Sequence, residues 1–205
     1  MDHIIIAGFM GCGKGSVGRR VAEALSMTVY DTDKLVAQKM KMTSADVYAK
    51  FGDVYYRAEE TFILSELLQK KERCVIVLGS GLPLLPFNAK VLKTLGRVYW
   101  LKVSKKKVIE RIEKSKKHEW LKKEDKEDGI TSMLKERNEA YKRIADETID
   151  ADDLSSKELA DMIVAMATGQ KVENSQGKTS KDTTEKAPTK KKEKKTAKKS
   201  EDKEE

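Results

Sequence analysis

The sequence predicts an α/β protein in which helices cover both faces of a five-stranded parallel sheet, giving a three-layer domain. Short apolar runs rich in valine and isoleucine alternate along the chain with segments of helical periodicity. The runs are continuous, which is typical of parallel strands because helices bury both of their faces. The strand candidates are Ile4–Ala7, Thr28–Tyr30, Cys74–Leu78, Val98–Val103 and Thr148–Ile149.

Helix ends are predicted from capping residues. Ser44 is positioned to cap a short helix that ends before Gly52, and the next helix begins directly after that glycine. Ser155 and Glu158 have the spacing of a capping box, and Gly169 is typical of a residue that ends a helix. We therefore predict that the last helix of the domain lies between them.

The composition of the C-terminal residues differs from that of the rest of the chain. Residues 170–205 of the 205 contain no aromatic residue, 12 lysines and 8 acidic residues, so they contribute +4 of the net charge of +8. Such a segment buries too little apolar surface to offset its ordering entropy. We predict a domain over residues 1–169 and a disordered Lys/Glu-rich tail over residues 170–205. A basic tail could touch nucleic acid or an anionic surface, but its acidic residues weaken its positive field, so we expect a solvated extension and no specific nucleic-acid partner.

The cysteines and the hydropathy pattern indicate the cellular compartment of the protein. Cys12 and Cys74 show no metal-type spacing, and we find no signal peptide and no apolar run of about 18 residues. We expect a cytoplasmic protein with reduced thiols and no membrane partner. Cys12 lies near a predicted helix N-terminus, where a thiol can be reactive; the alternative is that a small residue fits a tight loop.

The most specific motif is Gly8–Lys14, which has the pattern G-x-x-x-x-G-K and follows the first strand candidate. Its glycines let backbone N–H groups approach phosphate closely, and the positive end of the next helix points to the same place. The motif predicts a nucleotide-binding loop with Lys14 beside the terminal phosphates. The expected nucleotide contacts are Gly11, Cys12, Gly13, Lys14, Gly15 and Ser16.

One position departs from this motif. A serine or threonine normally follows the lysine, and its hydroxyl ligates Mg²⁺. Here Gly15 follows, and Ser16 comes one residue late. Because one residue on a helix is a rotation of about 100°, Ser16 reaches the same metal only if the loop shifts.

Two carboxylates follow the second strand candidate. Asp31 and Asp33 are placed at the carboxyl edge of the sheet, where open parallel sheets bind ligands. One of them could reach Mg²⁺, directly or through water, while the other accepts a hydrogen bond from an attacking hydroxyl. The alternative for either residue is that it caps the next helix. We name Asp31 and Ser16 as the candidate metal-site residues.

Three further groups are weak signals when taken singly. Arg57 and Glu60 share a helix face, so an ion pair could hold the guanidinium toward a pocket, and arginine suits a carboxylate ligand. Gly79–Gly81 follows the third strand candidate, where exposed N–H groups can meet ligand oxygens. Arg137 and Tyr141 share a face of a later helix.

A charged segment precedes that later helix. Between Lys114 and Asp128 the sequence loses apolar periodicity, and Trp120 and Leu121 are its only large apolar residues. A mobile cover over an active site and an ordinary solvated loop fit this pattern equally well.

Taken in order, these motifs resemble the shikimate kinase family over about residues 3–166. The resemblance implies a P-loop kinase fold similar to that of nucleoside-monophosphate kinases, with strand order 2-3-1-4-5 and a lid at about residues 114–128. It also implies ATP and Mg²⁺ as cofactors and transfer of the γ-phosphate to the 3-hydroxyl of shikimate, a step of aromatic amino-acid biosynthesis. We expect a monomer.

The resemblance also implies roles for individual residues. Lys14 and Asp33 would be catalytic, with Asp33 binding the ring hydroxyls and acting as base. Asp31 would help to place Mg²⁺, Arg111 would pack against adenine, and His118 would lie in the lid near the nucleotide. The acceptor pocket would be formed by Asp33, Arg57, Gly79, Ser80, Gly81 and Arg137.

Three departures from the family pattern keep alternatives open. Gly15 lacks the hydroxyl, Ser80 replaces the middle of three glycines, and His118 replaces the lid arginine. Such an arginine can be worth about 10³–10⁵-fold in phosphoryl transfer. Lys116 or Lys117 could supply a point charge, and a histidine is only partly protonated at neutral pH. The alternatives are a degenerate homologue that binds ligand with little turnover and a kinase for another carboxylate-bearing acceptor.

Overall fold

A five-stranded parallel sheet in the order β2-β3-β1-β4-β5 forms the centre of the protein, as seen in a computed structural model that describes residues 2–114 and 126–170. All four neighbouring strand pairs are parallel. The predicted α/β class and strand order are confirmed, and each strand candidate is correct to within two residues at either end. The strands are β1 (His3–Gly8), β2 (Thr28–Asp31), β3 (Cys74–Val77), β4 (Gly96–Lys102) and β5 (Glu147–Asp150).

Helices connect the strands and cover both faces of the sheet. Consecutive side chains of β1 point to opposite faces, yet Ile4, Ile5 and Ile6 are all buried. One helix layer packs α1 against α7 and β3, while α4 and α6 pack against each other and β4. The helices are α1 (Lys14–Ala24), α2 (Thr32–Met40), α3 (Ser44–Leu67), α4 (Pro86–Leu95), α5 (Lys105–Glu113), α6 (Lys126–Ile144) and α7 (Ser156–Thr168), and a 3₁₀ turn, η1 (Leu82–Leu84), follows β3.

The start of α3 differs from the prediction. Thr43, not Ser44, is the N-cap, because the Thr43 hydroxyl accepts a hydrogen bond from the backbone N–H of Asp46 at 3.1 Å. The Ser44 hydroxyl instead donates to the backbone carbonyl of Asp33 at 3.0 Å. The predicted break at Gly52 is present, since this residue has φ 81° and ψ 176° inside α3. That left-handed φ favours glycine.

The final helix agrees with the prediction at both ends. The Ser155 side chain accepts from the backbone N–H of Glu158 at 3.2 Å, and the Glu158 carboxylate accepts from the backbone N–H of Ser155 at 2.8 Å. The two bonds form the capping box. Gly169 ends α7 in the left-handed conformation, with φ 71°.

Some predicted features lie outside the described residues. These are the tail beyond Gln170 and most of the charged segment, including Lys116, Lys117 and His118. Within the described ranges, no helix combines the length and the apolarity needed to span a membrane.

The packing of α1 on β3 gives a stability prediction. A Cβ at Gly18 in α1 would overlap Cγ2 of Val77, and a valine side chain has little freedom to move away. We expect Gly18→Ala to lower the free energy of unfolding by about 1–3 kcal/mol, despite the better helix propensity of alanine. Urea unfolding of the two proteins measures the difference.

Gly129 in α6 provides the matched control. It is also a helical glycine, and no described atom lies within 4 Å of the position that its Cβ would occupy. Gly129→Ala should raise the free energy of unfolding by roughly 0.4–1 kcal/mol. Equal effects of the two substitutions would contradict the close packing at Gly18.

Candidate active site

The phosphate-binding loop connects β1 to α1 at the carboxyl edge of the sheet. Gly11 and Gly13 have φ values of 77° and 89°, which only glycine adopts readily, and Gly13 is the N-cap of α1 without a side-chain cap. The helix N-terminus therefore presents backbone N–H groups that no side chain satisfies, as an anion site requires. Lys14 is the first residue of α1 and forms no hydrogen bond or ion pair with any described residue.

Cys12 is buried inside this loop. Its backbone N–H donates to the carbonyl of Phe9 at 3.2 Å, and its thiol lies against Gly8, whose Cβ would come within 2.7 Å of Cys12 Sγ. This close packing agrees with the interpretation that a small residue fits a tight loop.

Asp31 faces the phosphate-binding loop from the end of β2. Its Oδ1 accepts from the backbone N–H of Lys34 at 3.3 Å, so it caps α2. Its Oδ2 lies 3.8 Å from the position that a Cβ at Gly15 would occupy. Burial raises the pKa of Asp31, and the charge of Asp33 raises it further. Capping and metal placement are therefore compatible, because each uses a different carboxylate oxygen.

The neighbouring residues bear on how Mg²⁺ would be held. No group of three or more acidic, histidine or cysteine side chains within the described residues could hold a metal by itself. Mg²⁺ is commonly bound through one or two carboxylates, water and substrate phosphates. Asp31 beside the phosphate-binding loop fits that pattern. Ser16 is exposed, and its hydroxyl accepts from Arg19 Nη2 at 3.3 Å.

Asp33 lies in the first turn of α2. Its Oδ1 accepts from the hydroxyl of Tyr56 at 2.9 Å. The preceding residue, Thr32, is buried, and its hydroxyl accepts from the backbone N–H of Gly79 at 2.7 Å. This second bond ties the end of β2 to the loop after β3, so Asp33 and Gly79 lie side by side.

Arg57 and Glu60 form the predicted ion pair on α3, with 2.5 Å between Arg57 Nη1 and Glu60 Oε2. Asp53 adds a second contact, at 3.1 Å to Arg57 Nη2. The guanidinium also lies near the rings of Tyr48 and Tyr56, at 6.0 and 5.7 Å from their centroids. The side chain of Arg57 is thus held on several sides.

Burial of the pair alters the ionisation of the carboxylate. The side chain of Glu60 is fully buried. Desolvation raises the pKa of Glu60 to about 7, although the positive charge of Arg57 opposes the shift. Glu60 Oε1 has no hydrogen-bond partner among the described residues.

Gly79 and Gly81 allow these charged groups to approach the loop after β3. A Cβ at Gly79 would overlap Glu60 Oε1 and lie 2.5 Å from Asp33 Oδ1, and a Cβ at Gly81 would overlap the guanidinium of Arg57. Ser80 lies between them, and its carbonyl accepts from the hydroxyl of Tyr141 at 2.6 Å. The structure therefore brings the predicted glycine loop against the predicted charged residues.

Arg137 projects from α6, and its guanidinium is largely buried. Only 8% of the residue is exposed, and its Nε and Nη1 have no hydrogen-bond partner among the described residues. Its guanidinium carbon lies 5.3 Å from the centroid of the Phe9 ring, which belongs to the phosphate-binding loop. A buried guanidinium with open donors is costly unless an anion binds it. The position of Arg137 thus indicates an anionic ligand beside the phosphate-binding loop.

Arg111 lies on the other side of the phosphate-binding loop. Its Cβ is 3.7 Å from the position of a Cβ at Gly11, and its Nη2 donates to the carbonyls of Ala151 and Asp152 at 2.9 and 3.0 Å. These bonds fix the side chain at the end of β5. His118, the other predicted nucleotide contact outside the loop, is not among the described residues.

Comparison with protein families agrees with this arrangement. The model of the family described as shikimate kinase matches residues 10–168, which is most of the chain. The chain belongs to the shikimate kinase family. The match includes the carboxylates after β2, the ion pair on α3, the loop after β3 and Arg137.

Individual members of the shikimate kinase family are also similar. A shikimate kinase from Caldanaerobacter subterraneus subsp. tengcongensis is 36% identical over 164 residues, which cover 80% of this chain and 95% of that protein. A shikimate kinase from Thermoanaerobacter pseudethanolicus is 34% identical over 164 residues, which cover 80% of this chain and 95% of that protein. The solved structure of shikimate kinase from Acinetobacter baumannii in complex with shikimate has a TM-score of 0.76 and 29% identity, covering 84% of this chain and 96% of that one.

Sequence reasoning missed several contacts of the site. The spacing of Asp53 and Arg57, four residues apart on a helix, is a signal that could have identified this ion pair. No such signal exists for the bond between Tyr56 and Asp33 or for the ring of Phe9 beneath Arg137, because a buried aromatic residue is usually part of the core.

The raised pKa of Glu60 predicts a pH dependence of stability. Between the ordinary value of 4.5 and about 7, the folded protein retains a proton that the unfolded chain releases. The free energy of unfolding should therefore fall, relative to that of Glu60→Gln, as the pH rises through this window. Urea unfolding of both proteins at several pH values measures the difference; a constant or rising difference would contradict it.

Proposed function

We propose that this chain is a shikimate kinase that transfers the γ-phosphate of ATP to the 3-hydroxyl of shikimate. Membership of the family supports an ATP-dependent small-molecule kinase. The observation that carries the assignment of the acceptor is the buried Arg137, whose Nε and Nη1 have no hydrogen-bond partner among the described residues. Its charge also acts on Glu60, the ion-pair partner of Arg57.

The two arginines suit an acceptor that carries a carboxylate. A guanidinium binds a carboxylate through two parallel hydrogen bonds, which fix its orientation as well as its position. Nε and Nη1 of Arg137 have no hydrogen-bond partner among the described residues, and Glu60 and Asp53 hold Arg57 beside the loop after β3. In this proposal the arginines bind the acid group of shikimate and thereby orient its hydroxyls.

Asp33 is the proposed partner of the attacking hydroxyl. Its Oδ1 already accepts from Tyr56, and no described residue donates to its Oδ2. The acceptor hydroxyl would donate to this free oxygen. As the new O–P bond forms and the bond from the γ-phosphorus to ADP breaks, the hydroxyl proton passes to Asp33 and then to solvent.

The nucleotide side of the reaction is assigned to the phosphate-binding loop. Backbone N–H groups of residues 11–15 and the ammonium of Lys14 would hold the phosphates, and Arg111 would pack against adenine. Asp31 would hold Mg²⁺, with Ser16 as a second candidate. The metal supplies charge neutralisation for the transferring phosphoryl group.

The proposal also includes the cellular location and the oligomeric state of the protein. Both cysteines are free thiols, which suits the reducing cytoplasm that we propose as the location. We also propose that a monomer is active.

ADP release with ATP, Mg²⁺ and shikimate tests this function. The unsubstituted chain should release ADP in a shikimate-dependent manner, and Arg137→Ala should raise the KM for shikimate about 100-fold or more. The expected increase reflects the loss of a buried charge-assisted contact. The KM for ATP should change little, because this proposal assigns Arg137 to the acceptor and not to the nucleotide.

Arg143→Ala is the matched control on the same helix. Arg143 is exposed at the end of α6, and its removal should leave both KM values unchanged. No release with shikimate but binding of ATP or shikimate would favour a degenerate homologue. Release with another hydroxylated acid would retain the chemistry and change the acceptor.

Gly15→Ser tests the metal side of the proposal. A Cβ at this position would meet Asp31 Oδ2 at 3.8 Å and Arg19 Nη1 at 4.0 Å, so the added carbon fits without overlap. The added hydroxyl would provide the usual metal ligand of the motif. We expect the variant to reach half-maximal ADP release at a lower Mg²⁺ concentration and to bind ATP more tightly with Mg²⁺ than the unsubstituted chain does.

Gly15→Ala distinguishes the effect of the hydroxyl from the effect of the added carbon. It adds the same Cβ without an oxygen, so it should not reproduce either effect. Calorimetric titration with ATP, with and without Mg²⁺, measures binding independently of turnover. Unchanged Mg²⁺ dependence in Gly15→Ser would show that the missing hydroxyl does not limit metal binding.

A further inference from the structure

We infer that Tyr56 is a positioning residue for the acceptor reaction, because its hydroxyl holds one oxygen of Asp33 and thereby presents the other oxygen to the attacking hydroxyl. The inference rests on the proposed function and adds to it a specific residue of α3. It concerns the orientation of the Asp33 carboxylate, and no direct contact between Tyr56 and the acceptor is required.

The hydrogen bond between the two residues is direct, and its donor is buried. The Tyr56 hydroxyl lies 2.9 Å from Asp33 Oδ1, and only 5% of Tyr56 is exposed. A hydrogen bond to a charged acceptor is stronger than a neutral one, and removal of its donor leaves the acceptor unsatisfied. The bond therefore restricts rotation of the carboxylate.

The phenol is always able to donate. Burial, followed by the negative charge of Asp33, raises the pKa of Tyr56 well above its ordinary value. The hydroxyl thus keeps its proton throughout the accessible pH range. Because Asp33 Oδ1 always accepts the hydrogen bond from Tyr56, it is less available than Oδ2 to the attacking hydroxyl.

Gly79 confines the same oxygen from a second direction. A Cβ at Gly79 would lie 2.5 Å from Asp33 Oδ1, so the Cα of this glycine already packs against the carboxylate. The backbone of Asp33 is fixed as well, since its carbonyl accepts from the hydroxyl of Ser44 at 3.0 Å. With Oδ1 enclosed by Tyr56 and Gly79, Oδ2 is the oxygen to which no described residue donates.

The ring of Tyr56 is itself held by the acceptor side of the site. Its centroid lies 5.5 Å from that of Tyr48 and 5.7 Å from the guanidinium carbon of Arg57. The Tyr48 hydroxyl in turn donates to Asp53, which pairs with Arg57. The residues that hold Arg57 therefore also fix the donor that orients Asp33.

Tyr56→Phe removes the hydroxyl and retains the ring. We expect kcat with shikimate to fall about tenfold, with the KM for shikimate changed less than about threefold and the KM for ATP unchanged. The hydrogen bond from the acceptor to Asp33 strengthens in the transition state. A misoriented Asp33 carboxylate therefore affects turnover more than binding. Thermal unfolding of each protein checks that the variants are folded.

Tyr55→Phe is the matched control. Tyr55 is the adjacent residue on α3, and its hydroxyl contacts Met40 Sδ at 3.6 Å, away from the candidate site residues. Loss of this hydroxyl should leave kcat and both KM values unchanged.

A double substitution distinguishes positioning from packing. If Tyr56 acts only through Asp33, then Tyr56→Phe should change kcat less than about twofold when Asp33 is already replaced by alanine. A packing defect would instead lower kcat by a similar factor in both backgrounds, and this result would overturn the inference.

Three other outcomes would also overturn it, and they can be told apart. Normal kcat in Tyr56→Phe, with an active unsubstituted chain, would refute the positioning role alone. A raised KM for shikimate with unchanged kcat would show that Tyr56 touches the acceptor directly. No shikimate-dependent ADP release by the unsubstituted chain would refute the proposed function, and the inference would fall with it.

Discussion

The pairing of β1 with β3 and β4 is the constraint on which the candidate site depends. β1 is buried on both faces, and its register with β3 aligns Ile6 with Val77, while Val77 is also aligned with Asp31 of β2. The carboxyl ends of three strands therefore lie at the same level. The phosphate-binding loop leaves one of them, the carboxylates follow the second, and the glycine loop follows the third. A slip of register would separate these groups, since each is fixed only a few residues from its strand.

Close packing of charged groups against glycine is the second condition for the site. The loop after β3 carries no side chain at Gly79 or Gly81, so the carboxylates of Asp33 and Glu60 and the guanidinium of Arg57 can approach its backbone. These charges partly satisfy one another, whereas Nε and Nη1 of Arg137 have no hydrogen-bond partner among the described residues. Open buried donors reduce the stability of the unliganded protein. They also concentrate the binding energy for an anion at one place.

The sequence predicted the sheet and the charged residues because these depend on local patterns. Continuous apolar runs identified all five strands, and the Gly-rich motif and the order of the charged motifs identified the residues around the carboxyl edge. Contacts between elements were less predictable. Thr43 and Ser44 are both good capping residues, and only the position of the Asp33 carbonyl determines that Ser44 bonds there and Thr43 caps. The hydroxyl of Tyr56 gave no sequence signal, because its partner lies 23 residues away on another helix.

If the proposed function holds, substitutions on the two sides of the site should have unequal effects. Gly15 lacks the hydroxyl on the side where Mg²⁺ would bring water and phosphate oxygens as ligands, so a water could take the place of that hydroxyl. No comparable substitute exists for Arg137, because its guanidinium is buried and water does not supply the negative charge that it requires. Selectivity for the acceptor should therefore reside in the described residues of α2, α3, α6 and the glycine loop. The nucleotide side can vary more, since the metal and the phosphates complete it.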